Sequence, residues 1–456
     1  MNYLFFPYKY IYIIMSICKK NMNCLHEMHI TEKKFIILFN YRKNAKTILI
    51  ESYINNGTVD EKASTLGISH LLEHVCVDGW KGCKHNSCSK HFKPHGAIIN
   101  ASTGQTYINY WIKGLPDNTL EMLDYILSIS TNPDVDNNRL KKEKKAVETE
   151  LRIHEQHPQM GLYNVLNKML FLPEGLQEQD NIQKQIDLLP KLTPQLLRTW
   201  AKDYYGSGNT VISITGQFDK NKLLNKIKKK LKNEAQPRIR PYYKNIFKAG
   251  IDVKHHVNNN MDNSTIFFAF WSPLFFKDEE IYYIELFKEF INTGTTSLLF
   301  DRLREQKNLI YNIQLDNYTM PYGTYILIEI STKNENIKIV IEETIKLLRK
   351  LSQNKFSKKD LQAIKRSYRI GYHQQAKNND YYSTHYAEQY INQLFNVNKN
   401  TKVVSPDDVL KKIKKVRKQE FAAFINKLII FANLKIAYQG KKKVNNLLDM
   451  VTKLID

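Results

Sequence analysis

The chain has 456 residues, of which 42% are hydrophobic and 11% aromatic, with only 17 Gly and 13 Pro; this excludes a disordered or fibrous chain and suffices for two domains of roughly 200 residues. Its formal charge of +23 would steer acidic partners toward it, but the lysines are spread among Asn, Ile and Tyr with no reader motif beside them, which argues against nucleic-acid binding. The cysteines at 18, 24, 76, 83 and 88 are odd in number and irregular in spacing, unlike a disulfide framework, and point to a reducing compartment.

Residues 1–30 read as an N-terminal extension of unclear role. Their apolar run is broken by Pro7 and Lys9, is shorter than the roughly 20 residues a membrane span needs, and shows neither a clear signal-cleavage site nor an Arg-rich transit pattern. Asn100, Ala101 and Ser102 form a glycosylation sequon that secretion would risk modifying. The expected location is intracellular and cytoplasmic, with no membrane span.

A first domain is expected over 31–235. Apolar patterning gives strands between 31 and 56, a helix over 62–77 and a strand over 98–112. Cys83, His85, Cys88 and His91 lack paired metal-ligand spacing and read as a solvated loop rather than a second metal site. An amphipathic helix carries Leu120, Leu123, Ile126 and Leu127, a long charged helix covers 137–156 and stops near Pro158, and a strand lies at 209–216. Pro237 and Pro241 mark a linker, 236–250.

A second domain, 251–456, repeats this order. Gly67-Ile-Ser-His-Leu-Leu returns as Gly294-Thr-Thr-Ser-Leu-Leu, 227 residues on; Leu140 returns as Leu361, 221 on; and the strand between Asn209 and Gly216 returns between Asn433 and Gly440, 224 on. Similar displacements at three places favour a duplication. Ser297 and Phe300 occupy the second-copy places of His70 and Glu73. The expected fold is α+β: two homologous domains, each an antiparallel sheet with helices on one face.

His70-Leu71-Leu72-Glu73-His74 is the chemical centre of the sequence. Two imidazoles at i and i+4 share a helix face and can grip one tetrahedral ion, and the glutamate beside them can take a proton from a water that the ion makes acidic. Chance alone gives roughly 0.02 such motifs in a chain of this kind. A catalytic zinc site needs a third protein ligand. Glu143 and Glu150 stand two helical turns apart on one face, so either can ligate while the other bonds a histidine; Glu148 and Glu155 are further candidates by composition.

HLLEH, followed about 75 residues later by the E-x6-E of EKKAVETE, resembles the pitrilysin, insulinase and mitochondrial processing peptidase family of zinc peptidases, with a likeness that runs over nearly the whole chain from about residue 32. The resemblance implies Glu150 as the third ligand of one zinc ion per chain, Glu143 as its support, and Glu73 as the base that activates water. Gly96 to Thr103, with Tyr110, resembles the family's G-x-x-NAxT strand, which implies that Asn100, Ala101, Ser102 and Thr103 bind substrate along a strand edge. Thr106 stands where many relatives have a glutamate. LLFDRLREQKNLIYNI resembles the R-x6-Y segment, implying that Arg304 and Tyr311 bond the substrate carbonyl and the developing oxyanion. Relatives enclose a chamber with four such domains, so a two-domain chain implies a homodimer, or a heterodimer with a related subunit. The implied activity is hydrolysis of internal bonds in unfolded peptides or flexible segments. The alternatives are an inactive scaffold of the same fold and a basic nucleic-acid-binding protein.

Overall fold

The computed structural model describes residues 15–16, 24–30, 36–83, 87–172, 181–230, 247–259, 262–272, 280–292, 294, 297–320, 323–395 and 403–456. Cys18, His85, Thr295, Thr296, Pro237 and Pro241, and with the prolines most of the expected linker, lie outside the described residues.

In chain order, the first strands are β1 (Met15–Ser16), β2 (Cys24–Ile30), β3 (Ile36–Arg42) and β4 (Ile48–Ile54), followed by helices α1 (Ile68–Val77) and α2 (Cys88–Phe92). Strands β5 (Ile98–Thr103) and β6 (Ile108–Gly114) come next, then α3 (Thr119–Thr131), α4 (Asn137–Glu155), α5 (Met160–Leu170) and β7 (Thr210–Gly216). The remaining strands are β8 (Asp252–Val257), β9 (Asn263–Ser272), β10 (Ile310–Met320), β11 (Gly323–Lys333) and β12 (Lys435–Gly440).

The chain divides into two compact units: unit 1 takes residues up to 148 with 187–240 and 378–395, and unit 2 takes 149–186, 241–377 and 396–456. This differs from the expected unbroken stretches 31–235 and 251–456: residues 149–186 of the first half belong to unit 2, and 378–395 of the second half belong to unit 1. The boundary after Glu148 falls inside α4, which runs on without interruption.

In unit 1 the strand order is β1-β2-β3-β7-β4-β6-β5. The pairs are antiparallel except β3 with β7. In unit 2 the order β10-β11-β9-β12-β8 has one parallel pair, β8 with β12. Read from β3 and from β8, the two sheets have the same order and directions, which matches the duplication. Each is nevertheless mixed rather than purely antiparallel, since the long chain between β3 and β7 permits a crossover that a hairpin does not.

Three local expectations change. The stretch 98–112 is a hairpin, β5 and β6, turned at Gly104–Tyr107. The helix expected from 62 starts at Ile68, because Gly67 takes φ +82°, a left-handed conformation that ends helical propagation toward the N-terminus. Part of the extension is structural: β2 pairs along its length with β3, and buried His26 stacks on Tyr386 with ring centroids 3.7 Å apart.

Alternation gives the central strands of unit 1 two different faces. One is apolar, with Ile37, Phe39, Ile50, Ile112, Ile212 and Ile214 all buried, and α3 packs over β4 and β6 there. Leu123, Ile126 and Leu127 of α3 are buried as expected, whereas Leu120 is exposed and Met122 and Ile129 complete the buried stripe. The other face is polar: Asn40, Glu51, Tyr53, Asn109, Ser213 and Thr215. A helix of matching character, Asn379–Phe395, covers it. Ser383 donates to Glu51 and shares a 2.8 Å contact with Ser213, and Asn40 donates to Ser213 and Thr215. Burying these groups is tolerable only because they are paired. In unit 2, α5 packs on β8, β9 and β12, and a large aliphatic and aromatic core lies around Phe268, Phe287, Ile328 and Ile345.

Candidate metal centre

The metal motif sits on a helix tied down at both ends. At its start the half-buried Glu61 carboxylate accepts from the N–H groups of Gly67 at 2.8 Å and Ser69 at 2.9 Å, supplying a cap from outside the helix. At its end Arg139 of α4 donates to Val75 O at 3.1 Å, and the Tyr125 hydroxyl of α3 donates to Val77 O at 3.0 Å. Leu71, Leu72, Val75 and Cys76 are buried, so α1 turns His70 and His74 toward the partly open side. Burial pushes the Cys76 thiol up to about 12, leaving it an inert core residue.

His70 and His74 lie with ring centroids 4.8 Å apart and planes at 75°, and their Nε2 atoms are 3.2 Å apart. Two imidazole nitrogens bound tetrahedrally at the usual zinc distance stand about 3.3 Å apart, so both lone pairs suit one ion. Glu150 completes the group: its carboxylate and the two imidazoles each offer an atom within 4.8 Å of the others. The donor set, two imidazoles and one exposed carboxylate, fits a zinc-type ion with an open coordination position. Glu148 and Glu155 are not part of this group.

Glu143 meets the other side of His74, with Oε2 at 3.3 Å from Nδ1. That contact favours the tautomer whose Nε2 lone pair is free for a metal. Leu140, Val147 and Leu151 bury one stripe of α4, which fixes the roll of the helix and carries Glu143 and Glu150 along its adjoining edge; Glu150 is placed by the same continuous helix as Glu143.

Glu73 is 8% exposed and accepts a 2.8 Å hydrogen bond from the Thr103 hydroxyl of β5. On β5 the residues alternate, with Ile98, Asn100 and Ser102 exposed and Ile99, Ala101 and Thr103 half-buried. No strand lies beyond β5 among the described residues. The Asn100 side chain accepts from the Ala101 N–H at 2.9 Å, and Tyr110 is buried with its hydroxyl 2.8 Å from that of Tyr205.

Arg304 and Tyr311 lie in unit 2, Arg304 in a π-helical turn, Asp301–Glu305, and Tyr311 at the start of β10. Arg304 donates to Ile310 O at 2.8 Å, its guanidinium stands 5.9 Å from the Tyr311 ring, and Tyr311 is 44% exposed. Ser297 caps its own helical turn by accepting from the Phe300 N–H, so the second-copy positions of His70 and Glu73 are structural.

Two further residues matter to the site without a local sequence signal: Glu61, whose cap spans a non-helical loop, and Arg139, whose contact with α1 is long-range. Cys83 and Cys88 are joined by a disulfide. This departs from the expectation of free thiols and removes both from any second metal site; His91 instead bonds Glu121 at 2.9 Å.

Residues 36–186 match the family "Insulinase (Peptidase family M16)", and residues 191–368 match "Peptidase M16 inactive domain". An uncharacterized zinc protease of Rickettsia felis is 21% identical over 287 residues, 63% of this chain and 68% of that protein. The beta subunit of the mitochondrial-processing peptidase of Dictyostelium discoideum is 21% identical over 188 residues, 41% of this chain and 40% of that one. Among solved structures, a protease from Helicobacter pylori shares the fold with a TM-score of 0.77 at 17% identity, covering 91% of this chain and 99% of its own. A chain of complex III2 from Candida albicans does so with a TM-score of 0.74 at 15% identity, covering 93% and 99%.

Proposed function

We propose, from the premise that the chain belongs to the insulinase family of peptidases, that it is a zinc-dependent endopeptidase whose metal is held by His70, His74 and Glu150. The observation that carries this reading is the convergence of those three donors beside the nearly buried Glu73. Zinc proteases among the relatives support the choice of metal.

An ion at that position supplies a Lewis acid that acidifies water and polarises a peptide carbonyl. Glu73 takes the proton of the attacking water and returns it to the departing amine. The Thr103 hydroxyl orients Glu73 for this, and Glu143 orients His74. The free edge of β5, from Asn100 to Thr103, offers main-chain groups to an extended peptide, which demands little of its sequence. Arg304 and Tyr311 supply donors for the carbonyl oxygen as charge develops on it. In a homodimer each chain's Arg304 and Tyr311 would serve the partner's site; a relative named as one subunit of a processing peptidase supports an assembled enzyme. Among the described residues no helix is long and apolar enough to cross a membrane.

The test is cleavage of an unstructured quenched fluorescent peptide by wild type and by Glu73→Gln, with bound zinc quantified in each. The expected loss is about 10²–10⁴-fold with zinc retained. Zinc binding by a wild type that cuts no peptide of a diverse set would replace this reading with a non-catalytic subunit.

A further inference from the structure

Strand β5 and the metal helix α1 are tied together at two places, one on each side of His70 in the sequence of α1. One tie is direct: the Thr103 hydroxyl donates to Glu73 at 2.8 Å. The other runs through Gly57–Glu61, a short segment after β4 that makes a single 3-10 turn, Thr58–Asp60. Its approach is fixed on the core, where the Asn55 N–H donates to Asn209 O at 3.0 Å and the Trp200 ring N–H donates to the Asn56 side chain at 3.1 Å.

The middle of the segment holds the hairpin. The N–H groups of Thr58 and Val59 donate to the carbonyls of Gly104 and Gln105 at 3.2 and 3.0 Å, so the turn between β5 and β6 hangs on it. Gly57 has an extended backbone that any residue adopts, and what it supplies is space. A Cβ there would stand 2.3 Å from Gln105 O and 2.7 Å from Gly104 O, both main-chain atoms of the turn. The far end of the segment holds the helix, because the two oxygens of Glu61 take the N–H groups of Gly67 and Ser69. The first N–H groups of a helix have no partner within it, and His70 stands in that first turn.

We propose that Gly57 and Glu61 are positioning residues, which hold the substrate strand and the metal helix in one register through the segment between them. Neither belongs to the donor group of the metal centre; Glu61 acts through His70, and Gly57 acts by letting the segment close on the hairpin turn. This role presumes the metal centre and the β5 edge proposed above, and it is read on the metal before it is read on turnover.

The test loads the full chain with cobalt, whose visible bands report ligand geometry, at pH 8, above the value of about 7 to which desolvation lifts the Glu61 carboxyl. Glu61→Ala is expected to weaken cobalt binding about tenfold and to change the band intensities. Glu61→Gln keeps one acceptor oxygen and should lose about threefold; it decides the matter should Glu61→Ala not fold. Gly57→Ala removes no hydrogen-bonding group, yet it should also lose about threefold, because the displaced segment carries Glu61 with it. Ser357→Ala deletes a cap of similar kind from the helix Lys358–Gln375 and should leave affinity and bands unchanged. With zinc and an unstructured peptide, Glu61→Ala and Gly57→Ala should lower kcat per bound zinc about tenfold with KM within about threefold, a split that loss of folded protein does not produce. Unchanged cobalt binding and bands in the Glu61 variants or in Gly57→Ala, an equal change in Ser357→Ala, or no cobalt binding by the wild type would each overturn this role. The expected cobalt changes in a chain that cuts no peptide would support the role and refute the peptidase reading, whereas turnover with unaltered cobalt bands in the variants refutes the role alone.

Discussion

Removing the Glu143 carboxylate tests whether the centre is built as a metal site or is a chance meeting of polar side chains. Glu143 and His74 are both largely buried, with side chains 12% and 18% exposed, and their contact is 3.3 Å. Without that acceptor the imidazole is free to rotate and to carry its proton on either nitrogen, so part of its population no longer offers Nε2. Contacts of this kind are worth about 10–100-fold in metal affinity, or about 1.4–2.7 kcal/mol. Glu143→Ala should therefore weaken zinc binding by that factor in competition with a chelator of known affinity. Glu155→Ala, an exposed change at the end of the same helix, should leave it within about twofold. Equal affinity of the two variants would mean that Glu143 does not orient His74, and the case for a built centre would fail with it.

Tyr311→Phe removes one hydroxyl from an exposed ring and should lower kcat/KM on the order of 10²-fold if that hydroxyl meets the developing oxyanion; Arg304→Ala should cost at least as much, since it also frees the Ile310 carbonyl. Arg139→Ala breaks the tie between α4 and the last turn of α1 and should destabilise the chain by about 1–3 kcal/mol, read as a lower urea midpoint. Burial raises the Glu51 carboxyl from 4.5 to about 7. The folded chain therefore holds a proton that the unfolded chain releases, and stability fully present below about pH 4.5 is lost as pH rises toward 7. Glu51→Gln should flatten this decline, which is worth up to about 3 kcal/mol, in a melting series from pH 4.5 to 8; an unchanged slope would show that Glu51 ionises freely in the fold.

The metal helix and the glutamate pair were legible because their signals are local: i, i+4 on α1 and i, i+7 on α4 follow directly from helical pitch. Ser297 and Phe300 likewise marked unit 2 as the half without metal residues. The break at Gly104 was missed although glycine is a turn residue, because a single Gly between two strand-like runs also fits a bulge in one continuous strand. The beginning of α1 was misplaced since its cap, Glu61, reaches the helix from a loop six residues before Gly67 rather than from the adjoining position. The polar side of the sheet left a trace in the alternation of Glu51 and Tyr53 with Ile50 and Ser52, but nothing local says that Ser383 would answer it. Partners more than 300 residues apart are set by the closing of the fold, not by periodicity.

That pairing bears on how the protein is made. The strands of unit 1 are all synthesised once Gly216 has been added, yet the helix that covers Glu51, Asn40 and Ser213 begins only at Asn379, roughly 160 residues later. At about 5–20 residues per second, the ribosome leaves that side of the sheet open to water for roughly 8–30 seconds. A surface of hydroxyls, amides and a carboxylate tolerates the wait, where an Ile-lined one would invite aggregation. The last helix added to unit 1 therefore closes on a face whose chemistry suits a nascent chain.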